Sequence, residues 1–157
     1  MALSFAEKEA IVSEVAEVAA SAYSAVTAEY TGLSAEEMTD LRAKARTGGV
    51  YLRVVKNTLA RRAVNGTDYE CLQDTLTGPL VLAFSQEDPG AAARVLKDFA
   101  KENDKLVIKA LSVSGQLMAA SEIDRLASLP TKEQAISMLM SVMQAPLTKL
   151  ARSLNEV

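Results

Sequence analysis

Histidine and tryptophan are absent from this 157-residue chain, and cysteine occurs once. Without histidine, the usual general base near neutral pH and the commonest zinc ligand are both missing. The acidic residues are scattered without ligand-like spacing, so neither an enzyme nor a bound metal or cofactor is expected. The single cysteine, Cys71, excludes an intrachain disulfide and suits a reducing compartment. With no histidine to activate it, Cys71 reads as a small buried hydrophobe and not as a nucleophile. Aromatic residues are scarce, so a core must be built mainly from aliphatic side chains and alanine; an apolar fraction of 49% still permits one. No apolar run is long enough to span a membrane, and the opening MALSFAEKEA mixes charges where a signal peptide would not. Glycine fingerprints of phosphate loops and dinucleotide folds are missing too.

What is present is a segregation of charge. The chain is acidic overall, at −3, yet residues 41–67 hold seven basic side chains and no acidic one: Arg42, Lys44, Arg46, Arg53, Lys56, Arg61 and Arg62. The forty residues before this block carry a net −7. A localised positive patch on an acidic protein faces polyanions, because a phosphate backbone responds to the patch and not to the net charge. Asn57 and Thr58 add short polar groups able to bond phosphate or a 2′-hydroxyl. Two other readings stay open: a solvated basic face balanced by the acidic N-terminal stretch, and a site for other anions.

The pattern predicts helices over 4–20, 34–45, 57–64, 88–102 and 121–129, and strands over 23–29, 50–55, 80–84 and 106–113. Capping-box pairs, Ser4 with Glu7 and Ser34 with Glu37, open the first two helices. Asn57 is the expected cap of the third, Asp88 followed by Pro89 that of the fourth, and Ser121 with Asp124 that of the fifth. Strands alternating with helices argue a compact α/β domain over residues 1–130, with a mixed sheet flanked by helices. Thr77-Gly78-Pro79 reads as a turn, or as a small-residue loop that approaches a partner.

Residues 131–157 form a separate C-terminal helical segment. Thr131 and Gln134 make another capping box, and Ile136, Leu139, Met143, Leu147, Leu150, Leu154 and Val157 then step by three or four. Such a seam is covered either by a partner or by the chain's own domain. Three methionines, Met138, Met140 and Met143, suit adaptable helix-in-groove contacts. Pro146 lacks the N–H that would bond back to Val142, so a kink or a restarted helix is expected there.

The succession GGVYLRVVKNTLARRAV, LTGPLVLAF, EDPGAAARVLKDFAKEN and SEIDRLASLP resembles the bacterial ribosomal stalk-base family, the tenth protein of the large subunit. The likeness runs from MALSFAEKEAIVSEV to the last helix. It implies a cytoplasmic, non-enzymatic constituent of the large ribosomal subunit whose α/β domain binds large-subunit rRNA at the stalk base, beside the eleventh large-subunit protein. It implies a C-terminal helix that gathers dimers of the acidic stalk protein, which recruit translational GTPases. In many bacteria the complex also binds its own messenger leader. By this resemblance Ser4, Lys8, Arg53, Lys56, Asn57, Thr58, Arg61 and Arg62 lie near RNA. Ile136, Leu139, Met140, Met143, Leu147, Leu150 and Leu154 dock the stalk protein. With the sequence ending at Val157, two docking segments and hence two dimers are expected. The rivals are a non-ribosomal RNA-binding protein, which needs no acidic partner, and a free-standing α/β domain with a self-packed tail.

Overall fold

Capping boxes start the first two helices of the computed structural model, which describes residues 4–155 apart from the side chains of Leu147, Leu150, Leu154 and Asn155. In α1 (Phe5–Ser21) and α2 (Ala35–Thr47) the serine hydroxyl accepts the N3 amide and the N3 glutamate accepts the cap amide. Gly48 and Gly49, the latter at φ 66°, end α2 and turn the chain straight into β2 (Val50–Val54). The remaining elements are β1 (Ser24–Glu29), α3 (Asn57–Val64), β3 (Leu80–Ser85), α4 (Ala91–Glu102), β4 (Val107–Val113), β5 (Gln116–Ala119), α5 (Ile123–Ala127) and α6 (Lys132–Asn155). Short 3₁₀ turns cover Glu70–Thr75 and Ala120–Glu122.

The sheet runs β2-β3-β1-β4-β5. All four described pairings are antiparallel, which narrows the expected mixed sheet to an antiparallel one. Helices cover both faces. On one, α1, α3 and the 3₁₀ turn pack with Leu80, Leu82 and Phe84; on the other, α2, α4 and α5 pack with Val26, Val81 and Leu111. This two-sided cover explains why β3 reads as a continuous apolar run without alternation, since all six of its residues are buried. Phe84 anchors the first face: Tyr69 meets it edge-on at 6.0 Å and Tyr51 lies 6.5 Å away. Burial pushes the Tyr69 hydroxyl up to about 12, and that hydroxyl donates to the Ala22 carbonyl at 2.7 Å.

Three expected caps fall differently. Lys56, not Asn57, is the N-cap of α3, and it makes no side-chain cap bond; the Asn57 amide donates to the Gly78 carbonyl at 2.8 Å instead. The fourth helix begins at Ala91 behind Gly90, because Asp88 is drawn into a turn, accepting from the Gly90 amide at 3.2 Å and pairing with Arg94. Ser121 does not cap α5, whose N-cap is Glu122, and Asp124 pairs with Lys97 at 2.7 Å. Strand β5 was not expected at all. It pairs with β4 through the two-residue turn Ser114-Gly115, both at positive φ, a geometry matching the right-handed twist of the strands.

The tail begins as expected. Thr131 and Gln134 close their capping box, with bonds of 3.2 and 3.3 Å. The helix then passes through Pro146 without restarting, so Pro146 is its kink point, with the Val142 carbonyl lacking its usual intrahelical donor. At 24 residues α6 is about 36 Å long. Among the described residues no helix is apolar and long enough to cross a membrane.

Candidate nucleic-acid interface and helical docking face

β2 is an edge strand, so among the described residues its outer side has no neighbouring strand to pair with. The basic block wraps this edge. Alternation along β2 sends Tyr51 and Arg53 to the α1 side of the sheet and Leu52 to the α2 side. The i, i+4 spacing in α2 brings Arg42 and Arg46 to the same edge from the opposite layer. A hollow of about 420 Å³ results, lined by Glu14, Arg42, Arg46, Tyr51, Arg53 and Val54 among others. A second hollow of about 400 Å³ lies beyond Val54 and is lined by Lys56, Asn57, Thr58, Gly78 and Pro79.

The seven cations divide by what they touch. Lys44 is committed elsewhere: it pairs with Glu102 and lies 5.5 Å above the Phe99 ring. Arg53 pairs with Glu14 and donates to the Tyr51 hydroxyl at 3.0 Å, and that hydroxyl donates to Glu14 at 2.7 Å. The Tyr51 bond, then Arg53, holds the Glu14 carboxyl below its ordinary value. Partial burial raises the Tyr51 hydroxyl, and the Tyr51 and Glu14 bonds raise the Arg53 guanidinium. Arg61 donates to the Leu76 carbonyl at 2.8 Å, which with the Asn57–Gly78 bond ties α3 to the loop before β3. Among the described residues, Arg42, Arg46, Lys56 and Arg62 are exposed and have no ion-pair partner.

The structure therefore gathers Arg53, Lys56, Asn57 and Thr58 around the two hollows, with Arg61 and Arg62 on the adjoining helix. Ser4 and Lys8 line neither hollow. Ser4 is occupied as a cap, and Lys8 lies six residues, about 9 Å, along α1 from Glu14. Arg42 and Arg46, members of the basic block but not among the residues the resemblance places near RNA, line the first hollow with Tyr51 and Val54, which the sequence did not single out. The spacing of the two arginines was legible; the role of Tyr51 depends on Glu14, 37 residues away in sequence. Cys71 is partly buried against the core, its sulfur 3.3 Å from the Ser112 hydroxyl.

The second surface is α6. Ile136 is 45% exposed, Leu139 61%, Met140 59% and Met143 71%, so the domain does not cover this part of the seam. Met138 and Val142, four apart on the next ridge, widen the bare apolar face. Leu147, Leu150 and Leu154 continue the sequence pattern, but their side chains lie outside the described residues, as does Val157.

An α/β domain with unneutralised cations along one sheet edge, joined to a bare apolar helix, defines a nucleic-acid-binding adaptor. Known proteins specify which. Residues 4–101 match the family profile "Ribosomal protein L10", and residues 129–157 match "Ribosomal protein uL10 C-terminal region". The large ribosomal subunit protein uL10 of Thioalkalivibrio sulfidiphilus is 68% identical over all of this chain and 89% of its own length. The Hahella chejuensis protein of the same name is 62% identical over the same shares. That of Dichelobacter nodosus is 57% identical over the whole chain and 96% of its own length. The chain belongs to the ribosomal protein L10 (uL10) family.

Proposed function

We infer that this chain is a structural, non-enzymatic constituent of the large ribosomal subunit, binding rRNA at the stalk base and anchoring dimers of the acidic stalk protein. It works in the cytoplasm on the assembled subunit, next to the eleventh large-subunit protein, and serves translational GTPases only through the stalk protein. The observation that carries this reading is the pairing of two unsatisfied surfaces in a chain of this family: unpaired cations at the β2 edge and an apolar helix left bare. Residues 1–130 are the RNA-binding domain and residues 131–157 the docking segment. The core supports that division, since no buried core side chain lies beyond Leu126 among the described residues.

Lys56 and Arg62 act as phosphate contacts, with Asn57 and Thr58 as polar contacts beside them and Arg53 held ready by Tyr51. Arg61 contributes mainly by fixing the loop through Leu76. Ser4 and Lys8 form an outlying part of the same surface. On α6, Ile136, Leu139, Met140 and Met143 take one dimer, and Leu147, Leu150 and Leu154, beyond Pro146, take a second. Native mass of the nuclease-treated complex tests this assignment, alongside a chain ending at Pro130. A pentamer for the full chain, and a lone domain that still binds stalk-base rRNA for the shortened one, is the expected result. A full chain that remains alone in the presence of stalk protein refutes it.

A further inference from the structure

We propose that the RNA backbone follows the open edge of β2 through both hollows, with Arg42 and Arg46 of α2 as direct phosphate contacts and Val54 as an apolar rest between the two. The proposal rests on the RNA-binding reading above and adds a second layer of the fold to the interface. Both hollows are lined by Val54, so they adjoin across this one residue, which is 39% exposed on the strand edge. Beyond it lie Lys56, the Thr58 hydroxyl, and the Asn57 side-chain oxygen Oδ1, an acceptor left toward the hollow when its Nδ2 is turned to Gly78. Before it lie Arg42 and Arg46, exposed and without ion pairs among the described residues, while Lys44 on the same helix is already neutralised.

Glu14 lines the same hollow but faces Arg53 and the Tyr51 hydroxyl, so its charge is opposed by an adjacent cation. Elsewhere the acidic body repels a polyanion, which favours its approach along this edge. A free phosphate would meet only separate, solvent-facing side chains here, with no enclosed cradle. A polymer gains from several weak contacts held at fixed spacing, with the valine against a sugar or base.

The test uses full-length protein and a stalk-base rRNA fragment, with affinity measured by filter binding between 0.05 and 0.2 M salt. Removing two phosphate contacts by Arg42→Ala with Arg46→Ala lowers the salt slope by roughly 1.4–1.8, which makes the loss of affinity across that range about tenfold smaller. Lys56→Ala with Arg62→Ala serves as the reference pair. If the reference pair weakens binding while the Arg42 and Arg46 pair changes neither slope nor affinity, the track along β2 is overturned and the RNA-binding reading survives. If neither pair has an effect, both fall. An iron chelate tethered at Val54→Cys in a Cys71→Ser background provides an independent readout. It cuts the bound RNA in one cluster, whereas the same chelate at Leu117→Cys on the opposite sheet edge does not. Equal or absent cleavage from position 54 overturns the placement of the strand.

Discussion

At the scale of single residues, the side chain that organises the basic edge is not basic, and its acidic partner lies far from it in sequence. Tyr51 stands on the sheet with its ring near Phe84 and its hydroxyl between Glu14 and Arg53. A carboxylate whose folded pKa is depressed contributes stability above its unfolded value, and that contribution is lost as pH falls through the folded value. For Glu14 the ordinary value is 4.5, so the Tyr51–Glu14–Arg53 group is intact at neutral pH and comes apart only in acid below it. Tyr51→Phe removes the largest cause of the depression. Carbon-detected NMR titration will show the Glu14 carboxyl moving up toward 4.5 in this variant, and an unmoved titration would remove Tyr51 from the role. Gly90 shows a different residue-scale constraint. Its φ of −88° is open to any residue, but an added Cβ would lie 2.8 Å from the Leu126 carbonyl. Gly90→Ala should therefore cost about 1–3 kcal/mol in denaturant unfolding by pushing α5 off α4. An unchanged midpoint would show that α5 moves freely.

At the scale of elements, what could be read from the sequence depended on whether the deciding contact was local. Capping boxes at Ser4, Ser34 and Thr131 involve residues three apart, and all three formed as expected. The cap expected at Asn57 and the Ser121–Asp124 capping pair failed where distant partners, Gly78 and Lys97, held the Asn57 and Asp124 side chains. Strand β5 escaped notice because four residues carry almost no periodic signal, and its pairing with β4 is what makes it a strand. The site divides the same way. The basic block was plain in the sequence, whereas which cations remain unpaired depended on Glu14 and Glu102, both outside the block. The latch of α3 on the 76–79 loop carries its own prediction. Asn57→Ala should lower stability by about 0.5–1.5 kcal/mol, the usual worth of one such hydrogen bond. It should also raise amide exchange around Gly78, while the amides of β1 stay protected. Uniform loss of protection across the sheet would mean that the bond supports the whole fold and not the loop.

At the scale of the whole molecule, the two interacting surfaces obey different physics and should be separable. On the proposed assignment, binding along the β2 edge is governed by charge and should weaken with salt. The proposed docking on α6 would be governed by buried apolar area and should be far less sensitive to salt. Among the described residues they also lie on parts of the chain with no shared core, since the last buried core side chain is Leu126 and α6 begins at Lys132. Leu139 and Met143, four apart and both more than half exposed, lie on one ridge of the helix before Pro146. Replacing both with aspartate puts two charges into what would become a desolvated interface, a penalty no cation one turn away on the helix offsets, because the nearest ones on either side are Lys132 and Lys149. The double variant should lose one stalk-protein dimer in native mass measurement, keep the other beyond Pro146, and bind rRNA with unchanged affinity and salt slope. Loss of both dimers would mean that Pro146 does not divide the helix into independent sites. Unchanged stoichiometry would move the docking face off this ridge.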